Sequence, residues 1–241
     1  MTRPQPAQSL LHASHLSKRF GGVVAVDDVS MSVSPLQVQC IIGANGAGKS
    51  TLFNMLCGSI RSDTGTLEFD GRDISGLALH KFVRRGIARK FQVPSVFDSL
   101  TVEQNLRVAQ IGELSGRSQE HLQEVLRQVD LYSVGHVKAG VLAHGQKQWL
   151  EIGMALMSKP RLLLLDEPTA GMTSDETLKT AMLIKELSAK TAVVAIEHDM
   201  SFVRALQCHT LVLHQGKLIA EGSFSEIESN TFVRDVYLGR A

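Results

Sequence analysis

The chain has 241 residues, 44% of them apolar, enough for one good core and a small second lobe. Twenty-five Lys and Arg against 24 Asp and Glu leave a net charge of +1, a balance that advertises no polybasic surface for nucleic acid or anionic lipid. Any membrane contact is therefore expected to run through protein.

In chain order, "MTRPQPAQSLLHASHLSKRF" lacks the continuous apolar stretch of a signal peptide, and no later run approaches the ~18 residues of a membrane span. A cytosolic protein with a short N-terminal tail is expected. Strand-like runs follow as "VVAVDDVSMSV", "VQCIIG" and "GTLEFDG", and later as "RLLLLD", "TAVVAIEHD", "HTLVLHQG" and "KLIAEG". The continuously apolar "CIIG", "LLLLD" and "VVAIEHD" read as buried parallel strands, whereas the early and late runs alternate or pair as hairpins. From Asp98 to about Met157 the spacing becomes helical, in "TVEQNLRVA", "SQEHLQEVLRQVDL" and "GQKQWLEIGMALM". The pattern predicts one α/β domain with a mostly parallel core sheet and an antiparallel β flank. Its core spans roughly 8–97 and 158–241, with a helical subdomain inserted at roughly 98–157. Cys40, Cys57 and Cys208 lack metal spacing and fit buried thiols in a reducing compartment.

"IIGANGAGKST" places Gly43, Asn45, Gly46, Gly48, Lys49, Ser50 and Thr51 between an apolar strand and a helical stretch, the context that makes this pattern a phosphate-binding P-loop. Glycines let backbone N–H groups turn inward around phosphate oxygens, and the helix N-terminus adds partial positive charge. Lys49 then reaches the β- and γ-phosphates of a nucleoside triphosphate, and the Ser50 hydroxyl ligates Mg²⁺. "RLLLLDEPTAG" supplies the complementary element, with Asp166 at the metal end of a buried strand and Glu167 as the base for the attacking water. Gln92 and His198 each end a strand at the carboxyl edge of the sheet, where open α/β folds bind ligands. Both are candidate γ-phosphate sensors, Gln92 also as a metal ligand.

The ordered set "GANGAGKS", "FQ", "LAHGQ", "LLLLDEP" and "EHD" resembles the ATP-binding subunit of ABC transporters over essentially the whole chain. That resemblance implies a P-loop NTPase fold of the ABC nucleotide-binding type, with Gln92 in the Q-loop, Glu167 as catalytic base and His198 as switch histidine. It also implies that Phe20 stacks on adenine, although a Phe before Gly-Gly is equally a core anchor. The family's "LSGGQ" signature, which meets the γ-phosphate held by the opposite subunit, corresponds to Leu142, Ala143, His144, Gly145 and Gln146. Two of those letters differ. Loss of the Ser hydroxyl at Ala143 removes a hydrogen bond to a charged ligand worth about 1.5–3 kcal/mol, which weakens the site without abolishing it. Thr173 stands where the family usually has an Asp that communicates across the dimer.

"SKRFGGVVAVDDVS", "PTAGMT" and "AIEHDM" are similar to the branched-chain amino acid importer group, and "RKFQ" with "HGQKQWLEIGM" to urea and short-chain amide importers within it. The resemblance implies an ATPase motor peripheral to the inner face of the membrane. Its partners would be a second ATP-binding subunit, a different chain or a copy of this one, two permease subunits and, indirectly, a solute-binding protein. Branched-chain amino acids are the alternative solute. A soluble ABC ATPase and a non-hydrolysing regulatory subunit are the alternative classes. The apolar residues of "VPSVFDSLTV" either receive a permease helix or belong to the subdomain core.

Overall fold

The computed structural model describes residues 9–90, 96–110 and 118–235. The chain opens with β1 (Leu11–Phe20) and β2 (Val23–Val33), a hairpin, then β3 (Val38–Gly43), α1 (Lys49–Leu56), β4 (Thr64–Phe69), β5 (Arg72–Asp73), α2 (Leu79–Arg84) and β6 (Ile87–Lys90). The helical segment holds α3 (Val102–Ala109), α4 (Ser118–Gln128) and α5 (His144–Leu156). The core resumes with β7 (Leu162–Asp166), α6 (Ser174–Leu187), β8 (Ala192–Ile196), α7 (Met200–Leu206), β9 (His209–His214) and β10 (Lys217–Ser223), and α8 (Phe224–Ser229) and α9 (Thr231–Val233) follow.

Two sheets form, one of order β2-β1-β4-β5 and fully antiparallel, the other of order β10-β9-β3-β8-β7-β6. In the second, only the β10–β9 pair is antiparallel. The alternation of side chains along a strand divides the core between the two faces of this sheet. Leu163 and Leu165 of β7 join Val193 and Ala195 of β8 on the face that carries the helices, whereas Leu162 and Leu164 join Ile41, Val194 and Phe53 on the face that carries α1 and the β flank. Burial on both faces is why these strands read as unbroken apolar runs.

Among the described residues, the helical segment has no core of its own. Leu106, Leu122, Val125 and Leu150 belong to the same buried cluster as Leu163 and Val193. α3 starts on a capping box, in which Thr101 accepts from the Gln104 N–H while the Gln104 side chain accepts from the Thr101 N–H. The buried Asn105 side chain accepts from the Phe97 N–H at 2.7 Å and donates to the carbonyls of Phe97 and Thr101, fixing the turn that leads into the helix. The described apolar residues at the entry to α3 divide: Val102 is fully buried, Val96 packs on the core, and the Phe97 ring is exposed, while Val93 lies outside the described residues. Trp149, the one tryptophan of the chain, joins α5 to α6 by donating from Nε1 to Thr180 Oγ1 at 2.9 Å, with Lys179 Nζ 4.6 Å above its ring.

β1 is absent from the strands expected from sequence. Its residues "LHASHLSKRF" do not alternate cleanly, because His15 adopts φ 54 and the register shifts around it. The three cysteines are buried and free.

Candidate nucleotide site

β3, β8 and β7 are neighbours in the sheet, so the loops leaving their carboxyl ends converge. The first is the P-loop. Gly46 and Gly48 have φ 79 and 101, and Gly48 serves as the N-cap of α1. A Cβ at Gly48 would overlap the carbonyl oxygen of Ala25, whereas at Gly46 it would meet nothing within 4 Å. An open cleft of about 250 Å³ is lined by Val23–Ala25, the loop from Asn45 to Thr51, and Glu167. Lys49 is buried, and its Nζ donates to the carbonyls of Gly43 (2.7 Å) and Ala44 (3.0 Å) of its own loop. Burial lowers its pKa from the usual value, against the upward pull of Glu167, Asp166 and Glu197.

Asp166 ends the buried strand β7, where desolvation and then the neighbouring Glu167 charge raise its carboxyl above the ordinary range. Glu167 adopts φ 46, a costly conformation for a residue with a Cβ, held in part by its N–H donating to Ile196 O at 3.0 Å. That turn brings Glu167 to the wall of the cleft. His198, just beyond β8, brings Nδ1 to 3.3 Å from Glu167 Oε1. The hard oxygens of Ser50 and Asp166 are the donor type that Mg²⁺ takes, with phosphate and water oxygens available to complete its shell. Gln92 lies outside the described residues.

The start of α5 lies against the loop that follows β7 and does not line the Lys49 cleft. Ala143 is its N-cap and has no side-chain acceptor, although the Gln146 side chain still accepts from the Ala143 N–H at 3.1 Å. Half of a capping box is therefore missing. His144 Nε2 donates to the Ala170 carbonyl at 2.9 Å; a carbonyl only accepts, which fixes the proton on Nε2. Gly145 is backed by the Glu176 carboxylate. A Cβ at Gly145 would overlap Glu176 Oε1. Thr173 caps α6, its N–H and Oγ1–H donating to Glu176 Oε2 at 2.9 and 3.0 Å.

The family model described as ABC transporter matches residues 26–170. The chain belongs to the ABC transporter family. It is 38% identical to the high-affinity branched-chain amino acid transport ATP-binding protein of Pseudomonas aeruginosa, over 100% of both chains. It is 36% identical to the protein of the same description from Salmonella typhimurium, over 98% of this chain and 100% of that one. Among solved structures, an ATP-binding cassette of an ABC transporter in its ADP conformation superposes with a TM-score of 0.87 at 30% identity, covering 97% of this chain and 100% of the other. The protein is thus an ABC transporter ATPase with the ATP-binding cassette fold.

Within the cassette, the P-loop residues and Glu167 meet in one cleft, with Lys49 close enough to Asp166 and Glu167 to feel both charges. Ala143, His144, Gly145 and Gln146 stand apart from it. Phe20 is 48% exposed at the tip of the β1–β2 hairpin, with Lys18 Nζ 5.6 Å from its ring centroid, so it is not a core anchor. Sequence reasoning missed Glu176 and Glu197. The signal for Glu197 is an acid directly after five apolar strand residues, at the ligand-binding edge of the sheet.

Gly48→Ala is expected to weaken ATP binding by about 10- to 100-fold, because it combines left-handed strain of about 1–3 kcal/mol with the Ala25 overlap. Gly46→Ala meets no overlap and is expected to lose less. Titration calorimetry of both variants with ATP checks the order, and equal losses would remove the steric account of Gly48.

Proposed function

We propose that the chain is the ATP-hydrolysing motor of an importer for branched-chain amino acids, working as a head-to-tail dimer of cassettes beneath two permease subunits. The observation that supports the hydrolytic reading is the 3.3 Å approach of His198 to Glu167 at the mouth of the Lys49 cleft. On arrival of ATP, Lys49 exchanges the Gly43 and Ala44 carbonyls for the β- and γ-phosphates, while the N–H groups of the loop and of α1 receive phosphate oxygens. Glu167 orients the attacking water and accepts its proton, and His198 holds Glu167 from one side and the γ-phosphate from the other. Ser50 and Asp166 would hold Mg²⁺, which when bound would neutralise charge on the phosphate oxygens. Phe20 stacks on adenine, and Ala143 to Gln146 meet the γ-phosphate of the partner's nucleotide.

For the solute, the relatives named for branched-chain amino acid transport support that class better than the urea and amide reading drawn from "HGQKQWLEIGM". Among the described residues, no helix is long and apolar enough to cross a membrane, so the permease is expected to be supplied by other chains. The test is ATP-driven uptake by proteoliposomes holding the complex that co-purifies with this chain, offered labelled leucine, urea or acetamide. Leucine uptake that disappears with Lys49→Ala is expected. Uptake of urea or acetamide in its place would return the amide reading to first rank, and ATP hydrolysis with no permease in the complex would remove the transport reading.

A further inference from the structure

We propose that Glu197 is a positioning residue for ATP hydrolysis: its buried carboxylate clamps the loop that carries Glu167 to the loop that carries His198 and so sets the spacing of that pair. The proposal rests on reading Glu167 and His198 as the groups that act at the γ-phosphate.

Glu197 follows β8 and is 0% exposed. Each of its oxygens serves a different loop. Oε1 accepts from the Thr169 N–H at 3.1 Å and the Thr169 hydroxyl at 2.7 Å, two residues beyond Glu167. Oε2 accepts from the N–H groups of His198 (3.1 Å) and Asp199 (3.4 Å), the turn into α7. The backbone completes the junction: the Glu197 N–H donates to Ile41 O on β3, and the Glu167 N–H to Ile196 O on β8. A single rigid group therefore joins the three strands whose ends bear the P-loop, the base and the switch histidine.

A role in stability alone does not account for the acid. Burial pushes its carboxyl above the usual range even though four donors oppose that shift, so the folded protein holds this charge at a cost. A network that is unfavourable in burial yet geometrically complete is the arrangement found where placement of a reactive group matters. The clamp also extends beyond the pair. The loop it grips includes Ala170, whose carbonyl accepts from His144 in the signature stretch. A displacement at His198 is thus carried through Glu197 and the 167–171 loop to the element that faces the partner's nucleotide.

The test is steady-state ATP hydrolysis by the full chain for Glu197→Gln, Thr169→Val and the double variant, with Glu167→Gln as baseline and thermal unfolding alongside. Glu197→Gln keeps the shape but sets an amide donor against one pair of donors. It is expected to lower kcat by about 10- to 100-fold with KM for ATP changed by less than about twofold and Tm by only a few degrees. Thr169→Val is expected to lower kcat less, and the double variant to be no worse than Glu197→Gln, as for two groups in one network. A kcat for Glu197→Gln within about twofold of wild type, a rise in KM alone, or additive losses would each overturn the clamp. If Glu197→Gln fails to fold, Thr169→Val decides, and an unchanged kcat there overturns it. If Glu167→Gln itself hydrolyses ATP at the wild-type rate, the reading of the pair fails instead, and the clamp falls with it.

Discussion

Glu167→Gln is expected to lower kcat by about 10²- to 10⁴-fold, the range supplied by a positioned general base, while ATP binding persists. The amide has the volume of the carboxylate and suits the same left-handed turn, so the backbone bond to Ile196 is retained. What is lost is the acceptor for the proton of water and the charge that faces His198 Nδ1. ATP should then accumulate uncleaved. Light scattering of the purified variant gives a second reading: a mass that doubles with ATP, and not in a chain that also carries Lys49→Ala, shows that two cassettes with Ala143 close unaided. A chain that binds ATP yet stays monomeric calls for a different partner with an intact signature. Hydrolysis near the wild-type rate would remove Glu167 as the base.

Breaking the Lys90–Glu151 pair is expected to have the largest effect on stability. Lys90 ends β6 and Glu151 sits in the middle of α5, with Nζ and Oε2 3.4 Å apart and the two side chains 1% and 6% exposed. Lys90→Met alone removes one partner of a buried acid between sheet and helix, at a cost of up to about 3–5 kcal/mol. For a chain of this length that corresponds to a fall in Tm of roughly 6–20 °C. Lys90→Met with Glu151→Leu removes both charges and should recover most of the loss, because a buried pair is often no better than an apolar replacement. Thermal unfolding of the two variants decides. A double variant as unstable as the single would show that the charges contribute through other partners.

The chemistry at strand ends was legible because it is written in contiguous letters. The P-loop and "LLLLDEP" give residue types, order and an apolar strand in a single reading, and the sheet places their strands on either side of β8. The parts that escaped are those in which two distant segments share one group. Glu176 is the third residue of α6, yet in space it backs Gly145 in another helix. Glu197 looks like one acid in a polar "EHD" turn until Thr169 is seen beside it. β1 escaped because a left-handed His15 interrupts its alternation. The helical segment was readable as helices, but its dependence on the core sheet was not, since periodicity gives the apolar face of a helix and not what covers it. His144 illustrates the same limit: its place in the signature stretch is plain, whereas its bond to Ala170 within the same chain is a property of the fold.

The position of the lone tryptophan gives this ATPase an optical reporter of its own motion. Trp149 donates to Thr180 on α6 and lies under the Lys179 ammonium, so its indole spans the seam between the helix that starts at the signature and the helix that follows the base. Any sliding of α5 along α6 must break that hydrogen bond and shift a cation relative to the ring, and both changes alter indole emission. With no second indole to dilute the signal, unlabelled protein records the opening and closing of that seam in a stopped-flow trace.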